Sequence, residues 1–143
     1  MGTNLLDNIL ITYDDITNLG YTLALLNWDQ STYITKNGHK SRAEIIETIS
    51  KISHELLISD KFYDQICQIS EKKEFSNIND FQQKEIKKIK KEVEKARKIP
   101  SKLTSELAKI TSFGMAAWQD AKKNNNDKVV LLKQNSLFYR HLL

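Results

Sequence analysis

The chain predicts an all-α fold, helical hairpins packed as a bundle of about five or six helices with no sheet. Three observations carry this. Only four Gly and one Pro occur among 143 residues, too few for the tight turns of a multistranded β protein. Lys, Glu, Leu and Ile are abundant, and they favour helices. Apolar residues also recur every three or four positions through nearly every segment, the period of a helix with one buried face. A chain of this length suits one domain and buries roughly 68% of its unfolded surface.

From Asn4 to about Trp28, Leu5, Leu6, Ile9, Leu10, Tyr13, Ile16, Leu19, Leu23 and Leu26 form a buried stripe, with Gly20 a point of bending or interruption. Asp29 to Gly38 loses the pattern and contains the β formers Thr32, Tyr33, Ile34 and Thr35, which predicts an extended connector. Ser41-Arg42-Ala43-Glu44 matches a capping box and predicts a helix start. Ile45, Ile49, Ile52 and Leu56 form that helix's inward stripe, flanked by Ile46 and Leu57. Ser59-Asp60 opens a shorter helix carrying Phe62, Ile66 and Ile69, and Lys72 to Asn79 is turn-like.

From Asp80 a narrower stripe follows: Phe81, Ile86, Ile89, Val93 and Ala96. Pro100 ends this helix and Ser101 is placed as the next N-cap. Leu103, Leu107, Ile110, Gly114, Ala117 and Ala121 then follow at steps of four, three, four, three and four. The two helices joined at Pro100 are expected to pack as an antiparallel hairpin, with Trp118 buried and small residues letting a neighbour approach closely. Residues 1–126 form the helical region; 127–143 form a divergent tail with one apolar patch, Val129 to Leu132.

The net charge of +4 suggests nucleic acid until it is localised. Residues 84–98 hold seven Lys and one Arg against three Glu, a net of +5, so the rest of the chain is slightly acidic. Glu85 with Lys88, Glu92 with Lys95 and Glu94 with Lys98 stand one turn apart, which predicts internal pairing on a solvated face. No aromatic residue lies between Lys84 and Lys98 to stack on a base, which argues against nucleic acid as a partner. Asp7, Asp14 and Asp15 break the first apolar pattern, so neither a signal peptide nor a membrane span is expected. The single Cys67 excludes an intrachain disulfide, and the cytoplasm is the expected location.

No catalytic constellation is found. His54-Glu55-Leu56-Leu57-Ile58 begins like the zinc-binding His-Glu-x-x-His, but Ile58 stands where the second imidazole is required. His39 and His141 lie in other segments, so His54 is expected to be an ordinary helix-surface residue. Cys67 has no partner that would mark it as a nucleophile, and is read as a half-buried helical thiol. Asp29 and Gln30 are assigned a structural hydrogen-bonding role, and Trp28 a packing role. The sequence therefore predicts no catalytic, cofactor-binding or metal-binding residue in this chain.

Two blocks of sequence nevertheless carry a resemblance. Trp28-Asp29-Gln30-Ser31-Thr32-Tyr33, followed by Ser41-Arg42-Ala43-Glu44, resembles the N-terminal region of the Taq-type thermostable metallocarboxypeptidases. Glu92-Val93-Glu94-Lys95-Ala96-Arg97-Lys98-Ile99-Pro100, with Leu103, Leu107, Ala108, Thr111, Ser112, Ala117-Trp118 and Ala121, is similar to the next helical hairpin of the same family. The resemblance covers about residues 4 to 126. It departs at Ile34-Thr35-Lys36-Asn37-Gly38, where the family usually has a Met-Pro-Pro-Gly turn, and beyond Asn126.

The resemblance implies zinc or cobalt enzymes that release C-terminal residues from peptides. It implies a His-Glu-x-x-His helix and a downstream Glu as metal ligands, and usually a homodimer. None of those motifs falls within this sequence, so no metal or cofactor is expected in this chain. Three readings stay open. The chain is an N-terminal piece of such an enzyme, inactive alone, as a gene remnant or as one part of a split enzyme with a complementing chain. Alternatively it is a free-standing helical module that binds a protein partner, or a weak nucleic-acid binder through residues 84–98.

Overall fold

The computed structural model describes residues 4–71, 75 and 78–126. The tail 127–143, with His141 and the patch Val129 to Leu132, lies outside the described residues. Among the described residues there are five α-helices: α1 (Leu5–Thr32), α2 (His39–Ile58), α3 (Asp60–Glu71), α4 (Asp80–Ala96) and α5 (Ser101–Lys123). No strand occurs among the described residues, so the all-α prediction holds.

One apolar core gathers Leu6, Ile9 and Ile16 of α1, Phe62, Ile66 and Ile69 of α3, and Ile86, Ile89 and Val93 of α4. These are the inward positions the helical period selects, and burying each such side chain is worth about 1.5–3 kcal/mol. Tyr13 closes the edge of this core by donating its hydroxyl to Glu92 Oε2 at 2.8 Å. Phe81 departs from its expected stripe and is exposed.

Four local expectations are corrected. The first helix runs unbroken through Gly20 and on to Thr32, so the connector shrinks to residues 33–38 and contains a short 3-10 turn, Lys36–Gly38. That turn feeds directly into α2, because Gly38 is already helical at φ −82°, ψ −18°. Ser41 therefore sits inside the first turn and cannot act as an N-cap, which requires extended backbone. A capping box does form elsewhere: Asn79 Oδ1 accepts from the Gln82 amide at 2.8 Å while Gln82 Oε1 accepts from the Asn79 amide at 3.3 Å. Pro100, not Ser101, holds the extended N-cap position of α5.

The fourth correction concerns the hairpin. α5 packs chiefly on α2 and makes little contact with α4. The cause lies at the α4–α5 turn. Arg97 donates to the Ile58 carbonyl at 2.6 Å and to Asp60 Oδ1 at 2.7 Å, and its guanidinium lies 4.6 Å from the Tyr63 ring centre. His54 Nε2 lies 2.8 Å from the Ile99 carbonyl oxygen. These contacts clamp the turn onto the α2–α3 junction, so α5 departs along α2. Ile99 meets His54, Lys109 meets Glu47 at 2.7 Å, and Asp120 and Lys123 share a cleft with His39. The two helices thus run antiparallel.

Candidate functional site

The Trp-Asp-Gln segment falls in the last turns of α1, where a residue's direction follows from its place on the helix. Gln30 points inward and is 1% exposed. Its Nε2 donates to the Ser112 carbonyl at 2.6 Å, and the Ser112 hydroxyl donates to Gln30 Oε1 at 2.7 Å. Gln119 Nε2 donates to the Gln30 and Ser31 carbonyls at 3.2 and 3.0 Å, taking up oxygens at the helix end. Asp29 pairs with Arg42 of α2. Gln30 and Asp29 therefore join α1 to α5 and to α2, the hydrogen-bonding role expected from sequence. Trp28 does not anchor the packing. It is 59% exposed and meets Tyr33 edge-on, ring centres 5.8 Å apart.

The seam between α2 and α5 is built from small and polar residues. Ala43, Ile46, Ser50 and His54 of α2 are buried, as are Ser105, Ser112 and Ala121 of α5. The stripes expected to be buried on both helices turn outward instead. On α2, Ile45, Ile52 and Leu56 are exposed. On α5, Leu103, Leu107 and Ile110 are exposed, Ile110 to 65%, and Phe113 lies beside them. The helical period holds but the opposite face is buried, because Ser and Ala permit the close approach of α2 and α5 that larger side chains would prevent. Trp118 is half-buried, with the Lys122 ammonium 5.4 Å from its ring centre.

His54 is buried, 8% exposed, and not a surface residue. Since a carbonyl only accepts, its Nε2 carries the proton. His39 stands fifteen residues earlier on the same helix, about 22 Å away by helical rise. With Asp120 it lines a cleft of about 390 Å³. Among the described residues no three His, Cys, Asp or Glu side chains are placed to share a metal ion. The described residues do not fit a catalytic metal, which needs three protein ligands. Cys67 is half-buried in α3.

The expected Glu–Lys pairs of α4 are not among the ion pairs of the described residues. Lys84 bonds Asp80 at 2.7 Å, and Glu92 is engaged by Tyr13. Lys84, Lys87, Lys88, Lys91, Lys95 and Lys98 are all exposed, so α4 presents a more openly basic side than the spacing implied. No helix of the described residues is long and apolar enough to cross a membrane.

With this geometry in view, comparison with known proteins is decisive. The model of the carboxypeptidase Taq (M32) metallopeptidases matches residues 9–138. The chain belongs to that family. It is 25% identical over 139 residues to thermostable carboxypeptidase 1 of Pyrococcus furiosus, covering 92% of this chain and 27% of that protein. It is 31% identical over 107 residues to carboxypeptidase 1 of Bacillus subtilis, covering 75% of this chain and 21% of the relative. The solved structure named "BsuCP Crystal Structure" superposes with a TM-score of 0.80 at 26% identity, over 87% of this chain and 25% of that one. The chain thus spans about a fifth to a quarter of the length of its relatives and corresponds to an N-terminal part of a Taq-type carboxypeptidase. The family match runs to residue 138, past the expected boundary at 126.

Proposed function

We propose that this chain supplies the N-terminal helical part of a metal-dependent carboxypeptidase and that, alone, it neither retains metal nor hydrolyses peptides. The observation that carries the reading is the family match over residues 9–138, set beside a described region whose two histidines are far apart on α2. The whole enzyme releases C-terminal amino acids from peptides, uses zinc or cobalt held by residues outside this sequence, and works as a homodimer. The role of these helices is to cover one side of the substrate groove. The tail 127–143 contributes no metal ligand, and the protein resides in the cytoplasm, in keeping with its single Cys67. A complementing polypeptide that carries the metal site restores activity. Nucleic acid is not a partner at physiological salt, despite the lysines of α4, since a basic face without stacking aromatics gives weak, salt-sensitive binding.

The test is a metal and activity assay on the purified chain dialysed against zinc or cobalt. The expected result is no stoichiometric metal and no amino-acid release, with release appearing once a His-Glu-x-x-His-bearing portion of a relative is supplied. One retained equivalent of metal, with turnover that His54→Ala removes, would overturn the reading.

A further inference from the structure

We propose that the outer stripe of α5 seats an amphipathic helix from the metal-bearing portion of a Taq-type carboxypeptidase, and that this helix crosses α5 at Gly114. The inference rests on the functional reading above and names the surface through which it operates. Scattered surface apolar residues are ordinary, but a continuous stripe is not. Ile99, Leu103, Leu107 and Ile110 are exposed in succession, followed by Gly114 and Ala117 on the same side. From Leu103 to Ala117 the stripe runs about 21 Å at 1.5 Å per residue. Its flanking charges are satisfied within the chain: Lys109 by Glu47 at 2.7 Å, and Lys102 by Glu106 at 3.9 Å. The matching surface is therefore apolar.

Gly114, between Ile110 and Ala117 on the apolar stripe, suits a helix as the occupant. A Cβ placed there meets nothing within 4 Å, so no contact among the described residues requires glycine. Glycine inside a helix is nonetheless unfavourable, because it adds backbone freedom to the unfolded chain. Its place on the outer side of α5, with Ala117 one turn later, leaves room for another helix to pass closely. The relatives supply the source. The chain matches only 20–27% of their length, so about three-quarters of the family architecture lies outside it, and α5 offers an apolar face to be covered.

The test compares the free chain with a hybrid in which the whole chain replaces the matching fifth of carboxypeptidase 1 of Bacillus subtilis. Ile110→Asp should leave the unfolding midpoint of the free chain within about one degree and lower that of the hybrid by several degrees. Gly114→Ala should raise the midpoint of the free chain and lower that of the hybrid, an opposition of sign that a general folding defect cannot produce. Equal effects in both proteins, or separate unfolding of the two parts of the hybrid, would overturn the proposal. A dimer of the free chain that Ile110→Asp splits would also overturn it, since a second copy would then be the occupant. If the hybrid releases C-terminal residues while these substitutions remain silent, the docking surface fails and the functional reading stands. If they act as expected in a hybrid that hydrolyses nothing with zinc or cobalt, the functional reading fails and the surface stands.

Discussion

Where α3 and α4 meet the first half of α1, every buried residue is Leu, Ile, Val or Phe. Where α2 and α5 meet the last turns of α1, the inward positions are largely Ala, Ser, Gln and His, and the large apolar side chains look outward. The first region hides its apolar surface by its own means and holds itself together chiefly by the hydrophobic effect. The second is joined by hydrogen bonds across a close seam and leaves an apolar exterior. A self-contained core thus adjoins a polar seam with an exposed apolar face.

The sharpest way to break this comparison is to remove bulk from each region in turn. Phe62 is 1% exposed and central to the first core, so Phe62→Ala should cost about 3–5 kcal/mol in chemical denaturation. Leu107, half exposed on α5, should lose no more than about 0.5 kcal/mol on substitution by Ala. Similar losses at the two positions would mean that the outer stripe is buried after all and that the two regions do not differ.

How far the sequence reveals this division depends on the element. The core of α3 and α4 is legible: Phe62, Ile66, Ile69, Ile86, Ile89 and Val93 are buried as their spacing predicts, because the neighbours that cover them belong to this chain. The structural role of Asp29 and Gln30 was legible too, from their place at an apolar helix end. In α2 and α5 the same spacing misleads. Periodicity shows that Leu103, Leu107 and Ile110 share a face, but not whether the cover for that face comes from the same chain. The burial of His54 left no local signal, since its partner, the Ile99 carbonyl, is forty-five residues away. The Ser41 box failed for a related reason: the pattern is local, whereas the helix start is set by the 3-10 turn before it.

The seam itself is probed at Gln30. Gln30→Ala removes the acceptor of the buried Ser112 hydroxyl and the second donor to the Ser112 carbonyl, which keeps only its bond within the helix, for an expected loss of about 1–3 kcal/mol. Ser112→Ala should cost less, and the double substitution should fall short of the sum because the two side chains act as a unit. Strict additivity would mean that the Gln30–Ser112 hydrogen bonds do not hold the seam.

A smaller effect of opposite sign is expected on the outer face. In the free chain, Gly114→Ala should stabilise by about 0.4–1 kcal/mol, since the new methyl meets open space and the unfolded chain loses freedom. A loss instead of a gain would show that the outside of α5 is already occupied, which would erase the contrast with the apolar core.

The smallest effect tests the edge of that core, where α1 meets α4. Burial first, and then the hydrogen bond to Glu92 and the negative charges of Glu92 and Glu85, push the Tyr13 phenol from its ordinary 10.0 up to about 12. The folded state therefore holds this proton more tightly than the unfolded chain does. The sign follows: the contribution to stability is complete below pH 10 and is lost as the pH rises through about 12. Tyr63, raised chiefly by its hydrogen bond with Cys67, also ionises late, so an ultraviolet phenolate titration needs Tyr13→Phe to assign the Tyr13 step. Glu92→Gln should move that step down toward pH 10 without restoring it fully, because burial, the first cause, remains. A Tyr13 step already at pH 10 in the unaltered protein would show that α1 and α4 are not closed together at this edge, and that the first region is less self-contained than its apolar interior indicates.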